Sequence, residues 1–202
     1  MEKLTVTNYS DTKIKNRLES WLNLANESQI EDGKNWYKES QNFAKYLSET
    51  YNLDRYVCAS VISALSPNNK WERNKIDAET VIKAHLNGIA PENIKVCTYN
   101  ANKYKAFDIL NGKVITEKSP KTHSFAMNVG LLSSDHITID KWHLRACLVY
   151  PNDGILPCVE SCTSVQYRRV EKITSQIAKN NNLKGYELQA IIWVTIKDKW
   201  GR

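Results

Sequence analysis

Apolar residues recur at helical spacing along most of the chain, and this pattern predicts nine helices. In the first of them Asp11 is the predicted cap, and Ile14, Leu18 and Trp21 lie on its apolar side. The others are predicted over residues 35–51, 53–65, 74–86, 100–110, 120–132, 140–150, 164–180 and 186–200. Two β-branched triplets, at 114–116 and 137–139, favour extended backbone but are too short to change the predicted fold class. The predicted fold class is therefore all-α.

Residues 53–65 form the most apolar of these segments. Their apolar side chains surround the helix axis on nearly all sides, which is typical of a helix at the centre of a core. The sequence Ser66-Pro67-Asn68-Asn69 then ends the helix, since proline disfavours helical backbone in the residue before it.

Length and charge only weakly restrict the domain number and the possible partners. The 202 residues suit one domain, or two small lobes that share a core. The formal net charge of +6 and the pI near 9.0 favour a polyanionic partner. No apolar window is long enough to span a membrane, and no signal peptide opens the chain. We therefore expect a cytoplasmic protein of a bacterium or a phage-infected cell, or a nucleoid-associated one.

The cysteines give no sign of a disulfide framework or a metal centre. They are odd in number and irregularly spaced, at Cys58, Cys97, Cys147, Cys158 and Cys162. The last two are close enough in sequence to share a metal, but no second pair or nearby histidine completes a site. We expect reduced cysteines, no metal and no cofactor.

Lys121 and Asp140 are the strongest candidates for chemistry. Lys121 opens an apolar helix, and Asp140 caps the next one nineteen residues later. An amine and a carboxylate suit a sugar carbon that is losing its base. The carboxylate supports the developing positive charge, and the amine attacks that carbon or holds a phosphate. Each residue also has a structural interpretation, Asp140 as a plain N-cap and Lys121 as a solvated lysine.

The surroundings of these two residues carry a family pattern. Ile115 lies six residues before the pair Lys121-Thr122, and Arg145 lies five residues after Asp140. In these positions the chain resembles the helix-hairpin-helix DNA glycosylase superfamily (HhH-GPD). Its members have a hairpin, a lysine–threonine pair, an apolar helix, and an aspartate followed by an arginine. The resemblance covers roughly residues 54–148, about half of the chain.

A second match to this superfamily lies upstream. The turn at residues 66–69 resembles the one with which these glycosylases push an amide side chain into the hole left by a flipped base. The resemblance assigns that role to Asn68 or Asn69 and lets Trp71 stack on a base. It also implies DNA contacts by Lys70, Ser119, Thr122 and Arg145, and a base pocket walled by Phe125, Trp142 and His143.

The resemblance implies a two-lobed helical fold with a cleft between the lobes. The central lobe is expected over residues 54–150, and helices at 11–51 and 164–200 form the second lobe of a single domain spanning 1–202. The implied partner is DNA, either a duplex with a flipped base or a single strand. The protein is expected to act as a monomer.

The chain also departs from the superfamily pattern. Glu117 and Ser119 replace the two hairpin glycines whose amides approach a phosphate, which weakens the expectation of duplex binding through this hairpin. Trp142 occupies the place of the usual histidine, and His143 is shifted by one residue. His143 is also explained as a buried core histidine, and Arg168-Arg169 as a solvated face or a phosphate contact.

Three functions remain open. The first is a DNA glycosylase, in which Asp140 supports cleavage of the N-glycosidic bond of a modified or damaged base. In that enzyme Lys121 adds lyase activity if it forms a Schiff base. The second is a phage-type hypermodification enzyme that replaces the pyrophosphate on 5-hydroxymethyluracil in DNA with an amine or amino acid. The third is a non-catalytic nucleic-acid-binding module.

Overall fold

The computed structural model describes residues 5–130, 136–159 and 161–201. In these residues it contains nine α-helices, two 3-10 helices and no β-strand, which confirms the predicted all-α class. The α-helices are α1 (Asp11–Leu24), α2 (Glu27–Tyr51), α3 (Arg55–Leu65), α4 (Trp71–Leu86), α5 (Asn100–Leu110), α6 (Pro120–Gly130), α7 (Lys141–Leu148), α8 (Ser164–Asn180) and α9 (Gly185–Trp200). No helix in this part of the chain is long and apolar enough to cross a membrane.

The helical pattern located the helices well, and the largest difference is at α2. This helix begins at Glu27, eight residues before the predicted start, and runs through Gly33. A Cβ atom at Gly33 would lie 2.6 Å from the backbone of Ile191 in α9. The glycine therefore allows close helix packing rather than ending the helix. The last two residues of the predicted segment 120–132 lie outside the described residues.

The cap predicted for α1 was wrong by one residue. Ser10 is the N-cap, and its hydroxyl accepts from the Lys13 amide. Asp11 instead accepts from the Arg169 guanidinium at 2.6 Å. The same guanidinium donates to the carbonyls of Val6 and Tyr9. Arg169 is therefore not simply solvated, because it ties the segment of residues 6–11 to α8.

The chain divides into two compact units. Unit 1 comprises Met1–Lys38 and Ser133–Arg202, and unit 2 comprises Glu39–Leu132. This division differs from the predicted lobes at residues 39–51, which were expected in the second lobe but belong to unit 2, and at residues 133–150, which were expected in the central lobe. The latter belong to unit 1 because α7 packs against α1 and α9.

Unit 2 is built around α3, as its apolar composition predicted. All residues from Cys58 to Leu65 are buried, and α3 contacts α4, α5 and α6. The α4, α5 and α6 helices bury apolar side chains in this unit, including Ala78, Val81, Ile82, Phe107, Ala126 and Val129.

Unit 1 has its own core between α1, α7, α8 and α9. Trp21 of α1 is one of the largest fully buried side chains here, and its indole nitrogen donates to the Val149 carbonyl at 3.0 Å. Apolar residues from the other helices complete the core, among them Leu144, Leu148, Val170, Ile177, Leu188 and Ile192.

Candidate functional site

The turn between α3 and α4 presents one of its two asparagines to solvent. Asn68 is exposed and holds a left-handed backbone, with φ of 55°. Its amide nitrogen donates to the Tyr99 hydroxyl at 2.7 Å. Asn69 is half-buried, and its amide donates to the Asp77 carboxylate at 2.9 Å and weakly to the Leu65 carbonyl. Of the two predicted candidates for filling a gap in DNA, Asn68 is the accessible one.

The start of α5 lies against this turn. The Thr98 hydroxyl donates to the Pro67 carbonyl at 2.8 Å, and Asn102 in the first turn of α5 donates to Thr98 at 2.7 Å. Tyr99, the N-cap of α5, has 63% of its surface exposed. A large exposed aromatic ring therefore stands next to Asn68.

The first turn of α6 reaches the same end of α3. The Ser63 hydroxyl, in the last turn of α3, donates to the Thr122 carbonyl at 2.7 Å. Lys121 is exposed in that turn of α6. Ser119 lies directly before α6, and its backbone amide donates to the Thr116 carbonyl at 3.0 Å. Because this amide is engaged within the connection, it does not replace the hairpin amides that approach a phosphate in the superfamily.

Two helices that start at this end of α3 have no side-chain cap. Among the described residues, neither Lys70 at the start of α4 nor Tyr99 at the start of α5 gives a capping hydrogen bond. A helix N-terminus carries partial positive charge on its first amides, and capping side chains normally satisfy some of them. These starts and the exposed Lys70 and Lys121 lie at this end of α3, where Glu72 in the first turn of α4 and Glu117 are exposed as well.

Trp71 is held more tightly than a free stacking platform would be. Its indole nitrogen donates to Glu39 at 3.3 Å, and its ring meets Phe43 edge-on at 6.2 Å. The ring is half-buried, with the Lys75 ammonium 5.7 Å from its centroid. The exposed Tyr99, which the sequence did not single out, is better placed for stacking on a base.

In unit 1, Asp140 caps α7 as the sequence indicated. One carboxylate oxygen accepts from the His143 amide at 2.9 Å. Tyr167 of α8 fixes the extended segment before it: its hydroxyl donates to the Ile137 carbonyl at 2.6 Å and accepts from the Ile139 amide at 3.1 Å. The half-buried Asp140 carboxylate therefore stands on a rigid base.

His143 is a neutral core residue. Thr174 donates its hydroxyl proton to the Val170 carbonyl, so at 2.9 Å it accepts from the His143 ring. The ring therefore carries its proton on Nε2. Its complete burial lowers the pKa of His143 to about 3. A histidine held neutral in this way favours the core interpretation over the predicted place in a base pocket.

The remaining predicted residues fall in different places. In unit 1 the Arg145 guanidinium lies 4.7 Å from the centre of the Trp142 ring, which packs against the core of that unit. In unit 2 Phe125 is buried within α6. Lys121 belongs to unit 2 and Asp140 to unit 1. Within unit 2, the structure brings Asn68, Asn69, Lys70, Trp71, Ser119, Lys121 and Thr122 to one end of α3.

In the ranges that the structure describes, no group of three or more histidine, cysteine, aspartate or glutamate side chains is arranged to hold a metal ion. The five cysteines are free thiols, two of them buried.

Comparison with known proteins places the chain in a family without assigning an activity. The chain belongs to DUF7178, a family of unknown function whose sequence profile matches residues 1–200. Neither the curated proteins nor the solved structures include a match.

Proposed function

We propose that the protein acts on a nucleotide turned out of DNA and cleaves its N-glycosidic bond, as a DNA glycosylase. The observation that carries this proposal is the hydrogen bond from Ser63 to Thr122. It brings the turn that bears Lys121 to the end of α3 from which the Asn68 turn emerges. Asn68 and Lys121, to which the resemblance assigns the gap-filling amide and the amine, therefore lie at one end of one helix, and this supports the proposal.

The electrostatics of this end suit a phosphate backbone. Two helix starts without side-chain caps and two exposed lysines offer amide donors and positive charge to an anion. Contacts of this kind position a protein on DNA without reading its sequence. They also make affinity fall steeply with salt.

The accessible Asn68 supports the base-flipping part of the proposal. Its side chain is anchored through one amide hydrogen to Tyr99, which leaves the carbonyl oxygen and the second hydrogen for the partner of a flipped base. An anchored side chain loses little conformational freedom on entering the gap, so insertion costs less free energy.

The resemblance assigns the chemical steps to Lys121 and Asp140. The bond from C1′ to the base breaks, and the base leaves with the electron pair. Asp140 stabilises the positive charge that develops on the sugar. Either water or the Lys121 amine forms the new bond at C1′. Water gives an abasic site, and the amine gives a Schiff base from which β-elimination cuts the strand.

Borohydride trapping tests this proposal. Oligonucleotides carrying uracil, 8-oxoguanine, thymine glycol, 5-hydroxymethyluracil or an abasic site are incubated with wild type, Lys121→Ala and Asp140→Asn. A trapped adduct that Lys121→Ala abolishes identifies the lyase. Alkali-labile sites that Asp140→Asn abolishes identify a glycosylase without lyase activity. If no oligonucleotide gives either product, the result contradicts glycosylase activity.

A hypermodification enzyme is the second candidate, and one observation favours it. The Ser119 amide is engaged with Thr116 and Glu117 is exposed, so this hairpin lacks the superfamily's means of holding a duplex. The exposed amine of Lys121 also suits a diphosphate leaving group. The amine donor would form a bond to the 5-methylene carbon of the uracil as the bond to pyrophosphate breaks. Release of pyrophosphate from pyrophosphorylated hydroxymethyluracil DNA with an amine donor tests this reaction.

A non-catalytic binding module would behave differently in both assays. It would bind DNA with the salt dependence expected above and give no product with any substrate. The Asp140→Asn variant would then match wild type in every measurement.

A further inference from the structure

A buried carboxylate links the Asn68 turn to the start of α5. Asp77 of α4 has no exposed surface. One of its oxygens, Oδ2, accepts from the Asn69 amide side chain at 2.9 Å and from the Cys97 backbone amide at 2.8 Å. The other oxygen faces Arg73 at 3.1 Å, whose side chain is 44% exposed.

The two partners of Oδ2 come from different segments. Asn69 belongs to the turn after α3, and Cys97 precedes Thr98 and Tyr99 at the start of α5. The Thr98–Pro67 and Asn68–Tyr99 hydrogen bonds join the same two segments nearer the surface. The link through Asp77 differs from the other two because the Asp77 side chain has no exposed surface. This link therefore adds a buried constraint on how the two segments stand relative to each other.

Stability alone does not explain a buried charge at this position. Burying a carboxylate costs solvation free energy, and a half-exposed arginine offsets only part of that cost. A single acceptor atom shared by two donors does, however, define one geometry for both segments. The effect of Asp77 is therefore on the orientation of the turn.

We propose that Asp77 is a positioning residue for Asn68 in DNA recognition. The proposal rests on the proposed function, in which Asn68 fills the gap left by a flipped nucleotide. Through Asn69 and Cys97, Asp77 holds the turn in the orientation that lets Asn68 enter the gap. Binding to intact DNA, which uses phosphate contacts, does not depend on this orientation.

The geometry predicts different outcomes for two substitutions at this residue. In Asp77→Asn the amide oxygen replaces Oδ2 and keeps both hydrogen bonds, while Arg73 turns to water. In Asp77→Ala both bonds are lost, and the turn is released from α5. Arg73→Gln is the matched control because it removes the ion pair and leaves Oδ2 with both donors.

The test measures affinity for two labelled duplexes of the same sequence, one intact and one with an abasic site. The readout is the ratio of the two affinities, so general losses of charge or of folded protein cancel. We expect Asp77→Ala to lower the wild-type preference for the abasic duplex by about tenfold, as for lost buried hydrogen bonds. Asp77→Asn and Arg73→Gln should keep it within about twofold.

Asn69→Ala removes the shared hydrogen bond from the turn side, so the proposal stays testable if Asp77→Ala does not fold. It should lower the ratio as Asp77→Ala does, and the double variant should be no worse than Asp77→Ala alone. An unchanged ratio in folded Asp77→Ala, or additive losses in the double variant, would overturn the role of Asp77. A wild-type ratio of one would instead overturn the proposed function, and this proposal with it.

Discussion

The two units of the molecule treat the starts of their helices differently. In unit 1, side chains cap α1, α2, α7 and α8, through Ser10, Asn26, Asp140 and Thr163, whereas α9 starts after Lys184 without a side-chain cap in the described part of the chain. In unit 2, Asp54 caps α3 at its far end, whereas α4 and α5 start without a side-chain cap among the described residues. The uncapped starts adjoin the turn that carries Asn68.

This difference separates a structural role from a binding role. A capped helix start has its donors occupied by its own chain, at a gain of about 1 kcal/mol per cap. An uncapped start gives up that stability and keeps donors for an anion. Unit 2 leaves two such starts next to each other, which supports the proposal that DNA binds at that end of α3. Asp140 is the residue at which a cap and a proposed chemical role coincide.

Asp140→Asn gives the largest expected effect, since asparagine caps a helix as well as aspartate but lacks the charge. Loss of one stabilising group of this kind lowers turnover by about 100-fold or more. The melting temperature should stay close to that of wild type. Ser10→Ala is the matched variant: it should cost about 1 kcal/mol of stability and leave turnover unchanged. Full turnover in Asp140→Asn would remove the chemical role and leave the cap alone.

The stability of unit 1 should depend on pH through His143. Burial lowers the pKa of His143 to about 3, whereas an unfolded histidine titrates near ~6.5. The neutral His143 ring contributes its full stabilisation above pH ~6.5. This stabilisation is lost as the pH falls toward the folded-state pKa of about 3. Between those values the free energy of unfolding should fall by about 1.4 kcal/mol per pH unit.

Chemical denaturation at several pH values between 4 and 7 measures this slope, with His143→Gln as the comparison. Glutamine can donate to Thr174 but has no proton to gain in this range. The variant should therefore show a shallower slope than wild type. Equal slopes would mean that His143 does not titrate differently in the folded and unfolded chains.

Gly33→Ala should destabilise unit 1 despite the better helix propensity of alanine. The added Cβ would lie 2.6 Å from the backbone of Ile191, so α2 and α9 would have to separate. Overpacking of this kind costs about 1–3 kcal/mol. Thermal unfolding measures the loss. Gly154→Ala is the control, because its Cβ would meet no atom within 4 Å. A Gly33→Ala protein as stable as wild type would show that the two helices tolerate separation.

The smallest expected effect is at Lys70, where two substitutions distinguish helix capping from the loss of the lysine charge. Lys70→Asn and Lys70→Gln remove the same charge, but asparagine can cap α4 and glutamine caps poorly. The asparagine variant should be more stable by about 1 kcal/mol. It should also bind DNA a few-fold more weakly than the glutamine variant, because its side chain occupies the amides of α4. Equal DNA affinities would contradict a role for this helix start in binding.

The helices could be predicted from the sequence because their signal is local. Apolar spacing marks α3 as the central helix, and Asp140 is recognisable as a cap from the residues that follow it. The early start of α2 was not predicted, and the close packing of its Gly33 against Ile191 depends on a residue far along the chain. The start of α4 was placed three residues late because no capping residue marks it.

The supports of the candidate site could not be predicted for the same reason. Asp77 contacts Cys97, and Tyr167 holds residues 137–139, across separations that no local pattern encodes. Tyr99 gives no motif signal, because its place beside Asn68 arises only when α5 packs against the turn. The sequence could name the residues of a proposed chemistry, but not the residues that position them.

Amide chemical shifts during a titration with abasic-site DNA test the assignment of DNA binding to unit 2 most directly. The prediction is that the largest changes occur in the first turns of α4 and α5 and in the turn with Asn68. The capped first turns of α1 and α8 serve as internal controls and should remain unchanged. Changes confined to α1 and α8, or none at the end of α3, would contradict that assignment.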